Sequence, residues 1–256
     1  MVNARGKAVV KNLLSLLPAL ALLGIGPTQA AAVAAADEAG GYQAARERLV
    51  AFIQDYPRAI GERPDPRIVA ALRQVPRHLF VPEAARAEAY EDYPLAIGKD
   101  QTISQPSLVA LMTHLLRPKP GDVILEVGTG SGYQAAILSP LVGKVYSIEI
   151  IEALARQATR RLGELGYGNV EVRHGDGYLG WPEHAPFDGI IVTAGAAHVP
   201  KPLLDQLKRG GHMVIPVGST LAHQELKVIT KDARGRLSER TIIGVRFVPL
   251  TRNVRE

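Results

Sequence analysis

The stretch LEVGTGSGYQAAIL, Leu125 to Leu138, passes from an apolar run through three glycines at every second position, Gly128, Gly130 and Gly132, into a helical pattern. A strand ending at Val127 and a helix from about Gly132 place the glycines in the crossing turn, where missing Cβ atoms permit positive φ and close ligand approach. Such a turn is either a tight strand-to-helix connection or a cofactor cradle, and three glycines in five residues favour the cradle. The spacing is G-x-G-x-G, so the third glycine comes one residue earlier than in the dinucleotide fingerprint, which argues against a nicotinamide dehydrogenase. Glu126, next to the turn, would repel a pyrophosphate and suits a cationic or zwitterionic ligand.

Working outward, short apolar runs alternate with helical segments from Asp122 on. The expected strands are Val123 to Val127, Lys144 to Ile148, Val170 to His174, Gly189 to Val192 and His212 to Val217. Helices are expected over Tyr133 to Leu141, Ile151 to Leu165 and Pro202 to Lys208. This alternation predicts an α/β fold: a doubly wound, mainly parallel, Rossmann-like sheet with helices on both faces. Two further β-rich runs, Glu225 to Lys231 and Thr241 to Val248, flank DARGR and predict an antiparallel hairpin at the sheet edge.

Upstream, Tyr42 to Tyr56 reads as a helix, and Asp65 caps a short one that Pro66 opens and that ends before Pro76. Residues 77 to 104 read as irregular. A helix follows from Gln105, with Pro106 in its first turn, until Pro118 stops it.

The first 36 residues carry Arg5, Lys7 and Lys11 but no acid, then an apolar stretch from Leu13 to Gly26 and small residues from Ala30 to Ala36. That order is the pattern of a secretory signal; an Ala-rich extension or a misplaced start is the plainer alternative. Pro18 and the short apolar length argue against a membrane span. The expected organisation is a leader over 1–36 and one domain over 37–256, divided into a helical substrate-side segment (42–118), a cofactor-binding core (119–218) and a C-terminal β segment (219–256).

The chain has 256 residues, 46% of them hydrophobic, enough for a substantial core. Its net charge of +5 includes three positive charges in the leader, leaving +2, too weak a bias to point to nucleic acid. With no cysteine there is no disulfide, thiolate nucleophile or Cys-bound zinc. The seven histidines show no metal-binding spacing, so no metal is expected, and no G-x-S-x-G elbow supports a serine hydrolase.

The second strand leads into Glu149, twenty-one residues after Gly128, about where an acid meets a ribose in such folds. After the third strand, Asp176 and Gly177 fall at the same sheet edge; Asp176 is either a turn former or an acceptor for an adenine amino group. Three acids at successive strand ends above a glycine turn resemble the class I S-adenosylmethionine-dependent methyltransferases. That resemblance assigns Glu126 and the turn Gly128, Thr129, Gly130, Ser131 and Gly132 to the methionine side, Glu149 to the ribose, and Asp176 with Gly177 to the adenine end.

Beyond the fourth strand comes VTAGAAHVP, without the Asn/Asp-Pro-Pro-aromatic motif of enzymes that methylate adenine or glutamine nitrogens. The segments VPRHLFVP, QTISQP, LEVGTGSGYQAAIL, HGDG, PFDGIIVTAG and VRFVPL, in this order, closely resemble the protein-L-isoaspartate O-methyltransferase family, over about Tyr42 to Thr251. The resemblance implies methyl transfer from S-adenosylmethionine to isoaspartyl residues of damaged proteins and peptides, with Ser104 as the active-site serine. It places Thr102, Ile103, Ser104 and Gln105 on the isoaspartyl carboxylate, and Arg246, Phe247 and Val248 in the peptide groove. From the residues alone, Ser104 also reads as a helix N-cap. Other readings are a small-acid O-methyltransferase and a cofactor-binding module without catalysis. The family implies a monomer in the cytoplasm, where the cofactor is made; the leader points instead to the periplasm.

Overall fold

The computed structural model describes residues 41–55, 63–218 and 224–252, so the leader and its expected signal lie outside the described residues. Helix α1 (Tyr42–Asp55) buries Arg46, Leu49, Val50 and Ile53, one stripe at helical spacing. Helix α2 (Pro66–Gln74) opens as expected: Asp65 accepts from the Arg67 N–H at 2.8 Å and Pro66 holds the first position.

Residues 77 to 104 are more ordered than their composition suggests. Two 3-10 turns, Arg77–Phe80 and Glu83–Glu88, lead into a hairpin of β1 (Leu95–Gly98) and β2 (Gln101–Ile103). Its two turn residues, Lys99 and Asp100, both have positive φ (54° and 56°), the primed-turn geometry that matches strand twist. Strands of four and three residues with Lys-Asp between them carry too little pattern to be read beforehand. Helix α3 (Pro106–Leu116) is buried nearly all round and ends at Arg117, in the left-handed region just before Pro118.

The main sheet has seven strands in the order β5-β4-β3-β6-β7-β8-β9. These are β3 (Val123–Val127), β4 (Lys144–Glu149), β5 (Val170–His174), β6 (Phe187–Val192), β7 (Leu207–Gly218), β8 (Gln224–Lys231) and β9 (Leu237–Val245). The first five in that order run parallel; β8 is antiparallel to β7, and β9 to β8. The helices between them are α4 (Tyr133–Leu138), α5 (Glu152–Glu164) and α6 (Lys201–Gln206), each within a few residues of its expected span.

Alternation along the strands separates two apolar layers. Ile124, Val145, Ile191 and Val214 join the core beneath α3 and α4, whereas Leu125, Ile148, Ile190 and Met213 pack with Trp181, Phe187 and Leu203 on the opposite face. The chain leaves β3 outward to β4 and β5, then crosses back to β6 beside β3. Order therefore reverses at β3, and a crevice opens at its carboxyl end.

Two strand boundaries move. β7 begins at Leu207 instead of His212, because Leu207 pairs with Phe187 before a register shift admits the polar glycine-containing stretch. β9 covers Leu237–Val245, so Arg246 to Val248 lie beyond the strand. Those residues turn back toward Gly195, whose N–H donates to the Val248 carbonyl (2.8 Å) and whose carbonyl accepts from the Leu250 N–H (2.8 Å). Among the described residues no helix is long and apolar enough to cross a membrane.

Candidate active site

All three glycines of the turn have positive φ: 99° at Gly128, 53° at Gly130 and 89° at Gly132. A Cβ on Gly128 would lie 2.5 Å from Thr193 Oγ1, the hydroxyl that donates to the Gly128 carbonyl at 2.6 Å. Glycine is thus required there both for its backbone angle and for the close approach of β6's exit loop.

Glu149 ends β4 with both oxygens engaged: Oε2 accepts from the Gly130 N–H (2.7 Å) and Oε1 from the Ile151 N–H (2.9 Å). Burial raises its pKa, while the N–H groups of Ile151, Gly130 and Ile150 pull it back. The carboxylate lines the cleft above the turn together with Gly128, Thr129, Gly130 and Ser131. Each oxygen keeps a lone pair for a further donor, which suits the paired hydroxyls of a ribose. Gly177 is on the same wall, and a Cβ there would fall 2.4 Å from Val127 Cγ1.

Two residues expected at the cofactor lie off the cleft wall. Glu126 is fully buried and is not on the cleft wall. Strand alternation turns it, with Ile124, to the α4 side of the sheet, where it hydrogen-bonds Ser147 Oγ; Ser147 in turn meets Thr129 Oγ1 at 2.6 Å. Desolvation pushes its pKa up to about 8, with Glu149's charge adding and the Ser147 hydrogen bond opposing. Glu126 is therefore a neutral acid under the turn at pH 7 and not an anion facing a cationic ligand. Asp176 is off the wall too: one oxygen caps the Gly177–Leu179 turn through the Tyr178 N–H (2.9 Å), and the other accepts from Arg252 Nε (3.1 Å).

The buried acid makes stability depend on pH in a definite direction. A folded-state pKa of about 8, above the ordinary 4.5, means that the bound proton stabilises the fold fully below about pH 4.5, and that this contribution is lost as pH rises through about 8. Glu126→Gln, a permanent mimic of the protonated acid, is expected to gain relative to wild type by on the order of 3 kcal/mol between about pH 5 and pH 8.5. Urea unfolding of both proteins at those two pH values checks this; parallel profiles would show that Glu126 does not titrate in that window.

A second cavity of about 730 Å³ adjoins the first. Gln105, Arg246, Phe247 and Val248 line it, while Ile103 lines only the cofactor cleft. Thr102, Ser104, Thr193 and Val248 line both, so the two spaces meet there. Ser104 is not the helix cap: Gln105 occupies that position, and Asp92 caps α3 from outside, accepting from the Ser107 N–H (2.8 Å) and from Gln105 Nε2 (2.8 Å). The tail is clamped by buried Gln224, whose Oε1 accepts from the Phe247 N–H (2.7 Å) and whose Nε2 donates to its carbonyl (3.1 Å). Thr193, Tyr133 and the Pro249–Thr251 wall were given no site role from the sequence, although Thr193 lies within PFDGIIVTAG, Tyr133 within LEVGTGSGYQAAIL, and Pro249 and Leu250 within VRFVPL.

An order reversal at β3, a glycine turn at its carboxyl end and a buried acid at the end of β4 define a class I S-adenosylmethionine-dependent methyltransferase, with Glu149 suited to the cofactor's ribose and the Cβ-free turn to its close approach. The chain belongs to the protein-L-isoaspartate(D-aspartate) O-methyltransferase family, whose profile matches residues 52–255. It is 58% identical over 225 residues to protein-L-isoaspartate O-methyltransferase 2 of Syntrophobacter fumaroxidans, covering 86% of this chain and 90% of that one. Over 187 residues it is 60% identical to the protein of the same name from Nitrosococcus oceani (73% and 85% covered).

Among solved structures, one protein-L-isoaspartate O-methyltransferase superposes with a TM-score of 0.71 at 32% identity, covering 80% of this chain and 65% of that chain. A Plasmodium falciparum structure of that designation, in complex with S-adenosyl-L-homocysteine, gives 0.66 at 26% identity, covering 78% and 97%.

Proposed function

We infer that the chain transfers a methyl group from S-adenosylmethionine to the free α-carboxylate of L-isoaspartyl residues in damaged proteins and peptides, starting repair through a methyl ester and succinimide. The observation that carries this reading is the junction of the two cavities at Thr102, Ser104, Thr193 and Val248. Among the described residues lining the outer groove, Arg246 alone is charged, so the groove favours an anionic acceptor.

The bound cofactor supplies an electrophilic methyl on a sulfonium. An α-carboxylate with a pKa near ~3.5 is already ionised at neutral pH, so the chain needs no general base. Its own part is to position and to exclude water. Ser104 orients the carboxylate with an uncharged hydroxyl, helped by Thr102 and Gln105, while Ile103 packs behind. Exposed Arg246 attracts the anion without gripping it and so leaves its nucleophilicity intact; Phe247 and Val248, with Leu108 and Leu111, keep the groove apolar. Glu149 holds the ribose, the Cβ-free turn from Gly128 to Ser131 lets the methionine portion approach the backbone closely, and Gly177 gives the adenine room.

We place the whole of 37–256 in one methyltransferase domain acting as a monomer on protein and peptide substrates, without nucleic acid. Cofactor supply favours the cytoplasm; recovery of the mature chain outside the inner membrane, lacking its first ~30 residues as a cleaved signal would leave it, would overturn that location. The activity is tested with labelled S-adenosylmethionine and two peptides that differ only in carrying L-isoaspartate or L-aspartate at one position, followed by base-labile methanol release. Label on the isoaspartyl peptide alone is expected. Transfer to a free small acid in preference to that peptide would reassign the acceptor, and cofactor binding without transfer to either would leave a binding module.

A further inference from the structure

Arg77, in the VPRHLFVP segment, is completely buried and forms no salt bridge among the described residues. A buried guanidinium without an anion is costly, and an apolar side chain of similar size would serve packing better. Its donors go to two backbone carbonyls: Nε to Ala89 (2.8 Å) and Nη2 to Ser104 (2.9 Å). The planar fork thus ties the acceptor loop at the residue where the two cavities meet. Asp92 holds the following turn through Gln105 and Ser107.

The same guanidinium lies 4.8 Å from the ring centroid of Tyr133, the first residue of α4, which follows the glycine turn and lines the cofactor cleft. Tyr133 meets Phe80 edge-on at 5.5 Å, and Arg161 stands 5.9 Å from the Phe80 ring. Arg161 then donates Nη1 to the Ser131 carbonyl at 2.8 Å, inside the glycine turn. One continuous stack, Arg77, Tyr133, Phe80 and Arg161, therefore has a carbonyl of the acceptor loop at one end and a carbonyl of the cofactor turn at the other.

We propose that Arg77 is a positioning residue for methyl transfer, holding the Ser104 loop in register with the cofactor turn through this stack. In-line displacement is sensitive to sub-ångström placement of the attacking oxygen, which gives the buried cation a function that stability does not explain. The inference rests on the reading of Ser104 as the residue that orients the isoaspartyl carboxylate.

Arg77→Lys keeps the charge but cannot span both carbonyls. It is expected to lower kcat for the isoaspartyl peptide by about 10–100-fold while S-adenosylhomocysteine affinity, read by calorimetry, stays within about twofold of wild type. Should that variant not fold, Phe80→Leu removes the ring between the layers at nearly constant volume and is expected to show the same split. Unchanged kcat in a folded variant, or equal losses in turnover and cofactor affinity, overturns the proposal. A wild-type chain inert on the peptide overturns the functional reading and this inference with it; an active wild type with an equally active variant overturns the inference alone.

Discussion

Replacing Ser104 by alanine is expected to lower kcat/KM for an isoaspartyl peptide by about 100-fold, or ~2.7 kcal/mol of transition-state stabilisation, with cofactor affinity unchanged. The backbone around Ser104 should survive the change, because its carbonyl is held by Arg77 and the next helix is capped by Asp92, neither of which uses the serine hydroxyl. What is lost is the uncharged serine donor at the junction, which orients a carboxylate without neutralising it; Thr102 remains beside it. Initial rates over a range of peptide concentrations at saturating cofactor, alongside calorimetric binding of S-adenosylhomocysteine, separate the two effects. A variant that matches wild type in kcat/KM would remove Ser104 from the reaction, and one that loses cofactor affinity in step would make the residue a structural support of the cleft.

Glu149→Ala should act on the other substrate. Charge-assisted hydrogen bonds contribute roughly 1.5–3 kcal/mol each, so losing the carboxylate is expected to weaken S-adenosylhomocysteine binding by about 100-fold. Here a fall in thermal stability accompanies the loss, since the N–H groups of Gly130 and Ile151 are left without their acceptor. Glu149→Gln keeps an amide oxygen that can receive one of those bonds and should fall between the two. Titration calorimetry on the three proteins, with melting temperatures measured in parallel, checks the order. Equal affinity in all three would mean that the ribose is held elsewhere on the cleft.

Much of this architecture was legible locally. The strand from Val123 to Val127, the glycines after it and the helix from Tyr133 could be read from a dozen residues, because period-two apolarity, missing side chains and period-3.6 apolarity are properties of neighbouring positions. Glu149 could be placed by counting, since a strand, a turn and a helix of ordinary length bring the chain back to the same sheet edge. The motifs QTISQP and VRFVPL marked the acceptor side, and the structure brings Ser104 and Val248 to one junction.

What was not legible depends on partners distant in sequence. Glu126 was assigned as an anion facing the ligand, but the face a strand residue takes depends on which helix covers it, and burial under α4 keeps that acid protonated. Asp176 was read toward the adenine, yet its free oxygen meets Arg252, 76 residues later. Arg246 to Val248 were read as part of a strand, but Gly195 and Gln224 draw the chain off the sheet to wall the second cavity. The sequence by itself thus determined the parallel sheet and the glycine turn, because these follow from local periodicity and from spacing along the chain, while its motifs pointed to the cofactor class by resemblance. Only the tertiary structure decided which acids stay charged, where the tail runs and what Arg77 holds, because burial and hydrogen-bond partnership are properties of segments that meet only after folding.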